Sequence, residues 1–354
     1  MLNPLSPGWR KTNKELKSKM IRVGVIGCGG IARVHESYLS NLAPLGRLTA
    51  LADIDLERAK AAAEKLDGVK AAADYRDIYN HVDAVLLSLP HHLHYPIGMD
   101  FLRAGKHVLM EKPLANKEEE CLELIDTAKK NNLTLMTAYC MRYHPLVEKM
   151  GQLLRDEYLG RVFSVSIWTE QYTYQEEGRW GRSAEKLGGG QLFSHGCHYI
   201  DILLSYLGDP VEGTHTGTNY CTPWMEREGT SHVAMKFKSG AVAYHFGTWG
   251  AKGSRLRYSF HAHCEKGMLE INIAEGKLIS IVEGKETILA ECTPGSKYLQ
   301  NEMMHFLSCV NTGNRPLTDG PKSLQSLRVI WKLYEAEEKG VVANLTGLGL
   351  GCVE

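Results

Sequence analysis

The sequence has no surplus of charge of either sign: 41 Lys and Arg stand against 41 Asp and Glu in 354 residues. That balance offers nothing to nucleic acid or to an anionic membrane surface. No apolar run approaches the roughly 20 residues a membrane span needs, and there is no internal repeat or low-complexity tract. The nine cysteines are scattered, odd in number and without paired metal spacing. They argue against a disulfide framework and for reduced thiols in a cytoplasm. Residues 1–20 carry Arg10, Lys11, Lys14, Lys17 and Lys19 but no h-region, so they do not form a secretory signal. They read as a surface-lying extension or as an arm that reaches onto a partner subunit.

What is present is enough chain for two domains, with an ordinary 44% of hydrophobic residues. The first informative stretch is Val23 to Ala32. A buried strand reads from Ile21 to Ile26, stops at Gly27, and gives way to a helix pattern near Ile31. The G-x-G-x-x-A spacing spans the turn. Gly27 can take the tight turn, Gly29 and Gly30 leave room for a pyrophosphate, and Ala32 is small enough for close helix–strand packing. The N–H groups at the helix start, Ile31 included, then face the phosphates. A second apolar run, Leu48 to Ala52, ends in Asp53, at about the roughly 20-residue spacing where a carboxylate takes the ribose hydroxyls. A carboxylate there repels a 2′-phosphate, so NAD is expected over NADP. Arg58 reads as a solvated helix residue.

Further along, Val82 to Leu89, Lys106 to Met110 and Thr134 to Ala138 read as buried parallel strands, with helices over about 95–104 and 117–131 between them. Strand–helix alternation predicts a doubly wound parallel sheet. Its ligands bind at the carboxyl ends of the strands, where the loops at Gly27, Pro90 and Glu111 fall. After about residue 143 the pattern changes to period-two strands from Val162 to Ala290, then helices over about 296–313 and 321–339. We therefore expect an α/β chain: an N-terminal extension over 1–20, a Rossmann NAD-binding domain over 21–142, and an α+β domain over 143–354. The second domain carries a large, mostly antiparallel open sheet. An uncovered face on it invites subunit pairing, so a homodimer or homotetramer is expected.

Two stretches can carry chemistry. Lys112, in Glu111-Lys112-Pro113, follows a strand end in the sheet that bears the nucleotide loop, so its ammonium can hold a substrate oxygen; Glu111 can orient it. The tripeptide also reads as a surface Glu–Lys pair. The second stretch runs from Leu187 to Asp201. Three glycines allow a tight turn or a close approach. In the helix that follows, Ser194, His198 and Asp201 fall at i, i+4 and i+7. His198 suits proton transfer near neutral pH, or is a satisfied core histidine. Trp168, Tyr172, Tyr174, Arg179 and Trp180 read as an aromatic wall for a carbohydrate, or as loop anchors. His144 can reach the cofactor cleft, although Pro145 favours a helix start. His91, His92 and His94 lack a convincing ligand set, so no metal is expected.

Taken in order, these pieces resemble the Gfo/Idh/MocA family of sugar and inositol dehydrogenases. The resemblance rests on the glycine motif, Asp53, the Ser88–His94 loop, Gly105-Lys106-His107-Val108 before Glu111-Lys112-Pro113, Arg142-Tyr143-His144-Pro145, the Gly188–Asp201 segment and Pro316-Leu317-Thr318-Asp319-Gly320. It covers about Ile21 to Val342. It implies NAD held by the glycine turn, Asp53, Ser88, Pro90, His91, His94, Glu111 and Lys112. It implies Lys112 and His198 as the catalytic pair, and substrate contacts from Ser194, Tyr172, Trp168, Arg179, Trp180 and His144. The expected reaction is hydride transfer between nicotinamide C4 and a ring carbinol or ketone of a sugar, glycoside or cyclic polyol. Two alternatives stay open: an NAD-retaining enzyme that cleaves glycosides through transient oxidation, and a non-catalytic NAD-binding regulator. One departure is Ser194, where many members have aspartate four residues before the histidine. Cys140 is another, where an amide side chain is common.

Overall fold

The computed structural model describes residues 19–64 and 66–353. Arg10, Lys11, Lys14 and Lys17 of the basic stretch lie outside the described residues. Six strands in chain order are β1 Ile21–Ile26, β2 Gly46–Ala52, β3 Lys70–Ala72, β4 Ala84–Leu87, β5 His107–Glu111 and β6 Leu135–Ala138. They alternate with helices α1 Gly30–Leu39, α2 Leu56–Ala63, α3 His94–Arg103 and α4 Glu118–Lys130. All pairings are parallel, in the order β3-β2-β1-β4-β5-β6. The central strands are apolar on both sides because helices cover both faces: Val23, Val25, Val85, Leu86, Val108 and Leu109 are all buried. The order reverses between β1 and β4, the switch point where such sheets bind ligands. The doubly wound parallel sheet read from the sequence is the one observed.

The second set is α5 Pro145–Arg155, β7 Val162–Glu170, α6 Ala184–Leu187, α7 Cys197–Leu207, β8 Pro210–Thr218, β9 Thr230–Phe237, β10 Val242–Thr248, β11 Ser259–Cys264, β12 Gly267–Asn272, β13 Lys277–Val282, β14 Lys285–Glu291, α8 Leu299–Thr312, α9 Gly320–Lys339 and β15 Ala343–Asn344. Nine strands form one sheet, β14-β13-β12-β11-β7-β10-β9-β8-β15. Only β7 and β10 pair in parallel. Alternation is clean: β7 buries Val165, Ile167 and Thr169 and turns Ser164, Ser166 and Trp168 to the other face. The strand β8 was not legible, because Pro210, Gly213 and Gly217 interrupt the apolar alternation that marks a strand.

The chain forms two compact units. One runs to Tyr139 and takes in Leu299–Pro321; the other is Cys140–Tyr298 with the chain from Lys322. The expected range 143–354 therefore needs correction at Leu299–Pro321. Within the first unit α8 packs on α1 and β5. The segment after it extends the sheet at β6: Thr137 N donates to Thr318 O at 2.9 Å, and Thr318 Oγ1 donates to Thr137 O at 2.7 Å.

Candidate active site

Gly27 has φ +87°. A Cβ there would lie 2.3 Å from Ser88 O, so only glycine lets the ends of β1 and β4 meet. Gly29 and Gly30 face open space. Gly29 caps α1 without a side-chain hydrogen bond, and the first turn holds no acid. The first N–H groups of α1 are thus left for an outside anion. Ala32 is buried and packs the helix down. Ser88 Oγ is buried beside this turn and meets no hydrogen-bonding partner among the described residues. The helix-start amides without a side-chain cap, two glycines with room above them and an orphaned hydroxyl fit a dinucleotide.

Asp53 ends β2 and is braced against the same turn: Cys28 N donates to Oδ2 at 2.8 Å, and Asp55 N to Oδ1 at 2.9 Å. Arg58 is not simply solvated. Its Nη1 lies 3.1 Å from Asp53 Oδ1, and its Nη2 lies 3.0 Å from Asp55 Oδ2. Ile54, next to Asp53, is 97% exposed.

Lys112 follows β5 directly, at the same carboxyl edge of the sheet as Gly27 and Ser88. Two neighbours expected to touch the cofactor do something else. The Glu111 carboxylate is buried: His35 Nε2 lies 2.9 Å from Oε1, and the Lys112 backbone N–H donates to Oε2 at 3.2 Å. It orients the lysine's peptide from below. His94 has no exposed surface; its Nδ1 meets Pro113 O at 2.7 Å and its Nε2 meets Leu89 O at 3.0 Å. It sits between the loops after β4 and β5, and as a neutral ring it donates to one of these two carbonyls. His91 is buried 5.5 Å from it, centroid to centroid, and Pro90 is half-buried.

In the other unit, the glycine segment explains itself by what fills the space around it. A Cβ on Gly190 would lie 2.2 Å from Glu228 Oε2, and one on Gly189 would lie 3.1 Å from the Tyr334 ring. Tyr334 OH accepts from Gly190 N and Phe193 N, both at 3.2 Å, and donates to Glu228 Oε1 at 2.6 Å. Glu228 also accepts from Leu192 N at 3.2 Å, and Gln191 N donates to Glu228 O at 2.8 Å. Burial pushes the Glu228 carboxyl up, against the pull of Tyr334. Glu228 and Tyr334 together clamp the first turn of the segment that leads to His198. Sequence reasoning missed both, because they lie far along the chain and carry no motif.

The segment is not α-helical throughout. Leu192–Gly196 is a π turn, and α7 starts at Cys197. The i, i+4, i+7 alignment of Ser194, His198 and Asp201 is therefore corrected, since a wider turn rotates Ser194 away from its α-helical position. Ser194 and His198 are both buried, and the His198 ring lies 6.1 Å from that of His195. Asp201 is committed elsewhere: Arg142 Nη1 donates to it at 2.8 Å and Ser326 Oγ at 3.3 Å.

Three substrate candidates are placed differently from expectation. Trp168 lies on the sheet face opposite α7: it packs on Tyr244 and Phe246 at 5.2 and 5.7 Å, whereas Tyr199 of α7 stacks on His245 of the other face at 5.2 Å. His144 is fully buried as the cap of α5; its Nδ1 accepts from Leu146 N at 3.3 Å, and Tyr298 covers the ring at 5.1 Å. Burial holds its pKa down at about 4. Trp180 packs with Leu187, Met225 and Trp249, the anchoring role rather than the exposed wall. Tyr172 and Arg179 are exposed, and Tyr172 meets the edge of Trp224 at 6.0 Å.

Residues 21–139 match the model of an oxidoreductase family with an NAD-binding Rossmann fold, and residues 147–270 match the Gfo/Idh/MocA C-terminal domain. The chain belongs to the Gfo/Idh/MocA oxidoreductase family. Among relatives, it is 28% identical over 339 residues to a D-xylose 1-dehydrogenase (NADP(+)) of Haloferax volcanii, covering 91% of this chain and 99% of that one. It is 25% identical over 342 residues to a 1,5-anhydro-D-fructose reductase of Ensifer adhaerens, covering 93% and 100%. In structure it is similar to a levoglucosan dehydrogenase solved with NADH and levoglucosan, with a TM-score of 0.83 at 19% identity over 92% of this chain and 99% of the other. The family resemblance read from the sequence is thus borne out. The cradle at Gly27–Ala32 belongs to the NAD-binding domain of a Gfo/Idh/MocA enzyme.

Proposed function

We infer that this Gfo/Idh/MocA enzyme moves hydride between NAD and a ring carbinol or ketone of a sugar, glycoside or cyclic polyol. One observation carries the reading: the uncapped glycine cradle after β1 and the lysine after β5 open at the same edge of one parallel sheet. NAD, when bound, supplies the hydride acceptor or donor at nicotinamide C4. Lys112 holds the reacting oxygen and stabilises charge developing there. His198 takes the hydroxyl proton or returns it. Ser194 supplies a hydrogen bond without the carboxylate usual in the family, and Tyr172 and Arg179 line the approach from the exposed loop.

The relatives act on aldose-type and anhydro sugars by name, which supports a pyranose-sized substrate. Asp53 at the ribose position supports NAD. Arg58, which is 49% exposed and close by, supports weaker but measurable NADP binding. The outward aromatic face around Trp168, Tyr244, Phe246 and His232 supports pairing of subunits through the large sheet. Nine cysteines without a disulfide among the described residues support a cytoplasmic setting. The deciding experiment offers D-xylose, levoglucosan, 1,5-anhydro sugars and inositols with NAD and measures NADH at 340 nm. Stoichiometric NADH with one class establishes the reaction. Bond cleavage with no net NADH replaces it with transient-oxidation chemistry.

A further inference from the structure

Behind Lys112 the first unit buries a group of polar side chains that no step above uses. His35 lies on α1, just after the glycine cradle, and has no exposed surface. Its Nδ1 is bonded to Tyr38 OH and its Nε2 meets Glu111 Oε1 at 2.9 Å. One tautomer satisfies both contacts: the tyrosine hydroxyl donates to Nδ1 and Nε2–H donates to the carboxylate. The other Glu111 oxygen holds the Lys112 amide. Glu302, on α8 where that helix packs against α1 and β5, is 0% exposed. Neither of its carboxyl oxygens meets a hydrogen-bonding partner among the described residues.

Two buried carboxyls on packed elements disfavour each other's ionisation. The His35 bond and the Lys112 charge and amide pull the Glu111 pKa below its ordinary value despite burial. Burial and the neighbouring Glu111 push that of Glu302 well above. Of the two carboxyls, Glu111 is the one its neighbours favour as the anion, and Glu302 the one its burial favours as the neutral acid. Burying a carboxylate contributes little to stability compared with apolar packing. What this one does is join two pieces of machinery.

We propose that His35 and Glu111 are positioning residues that couple the dinucleotide-binding helix to the catalytic-lysine loop, so that a ligand seated on the start of α1 tightens the backbone at Lys112. The proposal rests on the reading of the glycine cradle as the NAD site and of Lys112 as catalytic. It assigns His35 a task that the dinucleotide motif itself does not.

The test is hydrogen–deuterium exchange on the full-length protein, with and without saturating NAD. In the wild type, NAD slows exchange both at 27–35 and at the Lys112 amide. In His35→Leu, the Lys112 amide exchanges about ten-fold faster without ligand, the loss of a hydrogen-bonded charge anchor. NAD still protects 27–35 there but no longer protects Lys112. His35→Gln, which keeps an N–H at the ε position, restores most of the coupling; a general loosening of the core would not be rescued this way. Should His35→Leu fail to fold, Glu111→Gln takes its place, with the same loss expected at Lys112. Equal protection of Lys112 by NAD in wild type and variant overturns the coupling alone. Absence of protection at 27–35 in the wild type overturns the dinucleotide reading itself, and the coupling with it.

Discussion

The two units each bury a glutamate beside a candidate catalytic residue, yet they drive it in opposite directions. Glu111, under the Lys112 loop, is pulled below its ordinary range because His35 and the lysine favour its charge. Glu228, over the glycine turn that leads to His198, is pushed above it, because its burial outweighs the pull of Tyr334, His215 and the backbone amides. Desolvation opposes ionisation in both cases; the neighbours decide the outcome. The lysine sits on a loop and needs a fixed charge to aim it. The histidine sits on a helix whose backbone already fixes its direction, so a shape-filling clamp is enough.

That contrast can be tested from both ends. Lys112→Ala gives the largest effect, lowering turnover about 100- to 1,000-fold while NAD affinity, measured by titration, stays within about three-fold; equal losses in both would remove the lysine from the chemistry. His198→Asn follows, with about 100-fold lower turnover. The near-neutral limb of the pH–rate profile should vanish with it, and a preserved limb would assign the proton to another group. Gly190→Ala forces a Cβ against the Glu228 carboxylate and should cost about 3 kcal/mol in denaturant unfolding or prevent folding; unchanged stability would refute the clamp. Paired neutral isosteres then separate the two glutamates. Glu111→Gln should lower turnover about ten-fold and Glu228→Gln less than three-fold, and the reverse order would invert the comparison.

The smallest effect is one of pH. Glu302 has its folded pKa raised, so the fold carries no penalty below the unfolded value of about 4.3 and an increasing one above it. Glu302→Gln should therefore stabilise the protein more at pH 8 than at pH 4 in urea titrations. For Glu111 the sign is opposite. Its stabilising contribution is present above the unfolded pKa and fades as pH falls through the lower folded one.

Much of this was legible in the sequence where local rules act. The Gly27 turn, five of the six parallel strands and the position of Lys112 follow from short apolar runs that end at the strand ends. Period two placed Trp168 opposite Ile167 but could not say which face the helices cover. His94 and His144 looked available because histidines on loops often are; tertiary packing buried both rings. The π turn at Leu192–Gly196 has no periodic signature over so short a span. Glu228, Tyr334 and His35 act through contacts between residues far apart in the sequence, as Tyr334 does in reaching back to Gly190, and no spacing rule finds those.

The return of Leu299–Pro321 to the first unit also bears on how the protein is made. As the chain leaves the ribosome, the parallel sheet emerges early, but the helix that seals α1 and β5 arrives only after strands β7 to β14 of the large sheet have been synthesised. Until then the nascent first unit exposes the apolar surface that Met303, Phe306 and Leu307 later cover, a surface for chaperones to guard. Ending the chain before Leu299 would leave the nucleotide-binding half unfinished rather than free-standing.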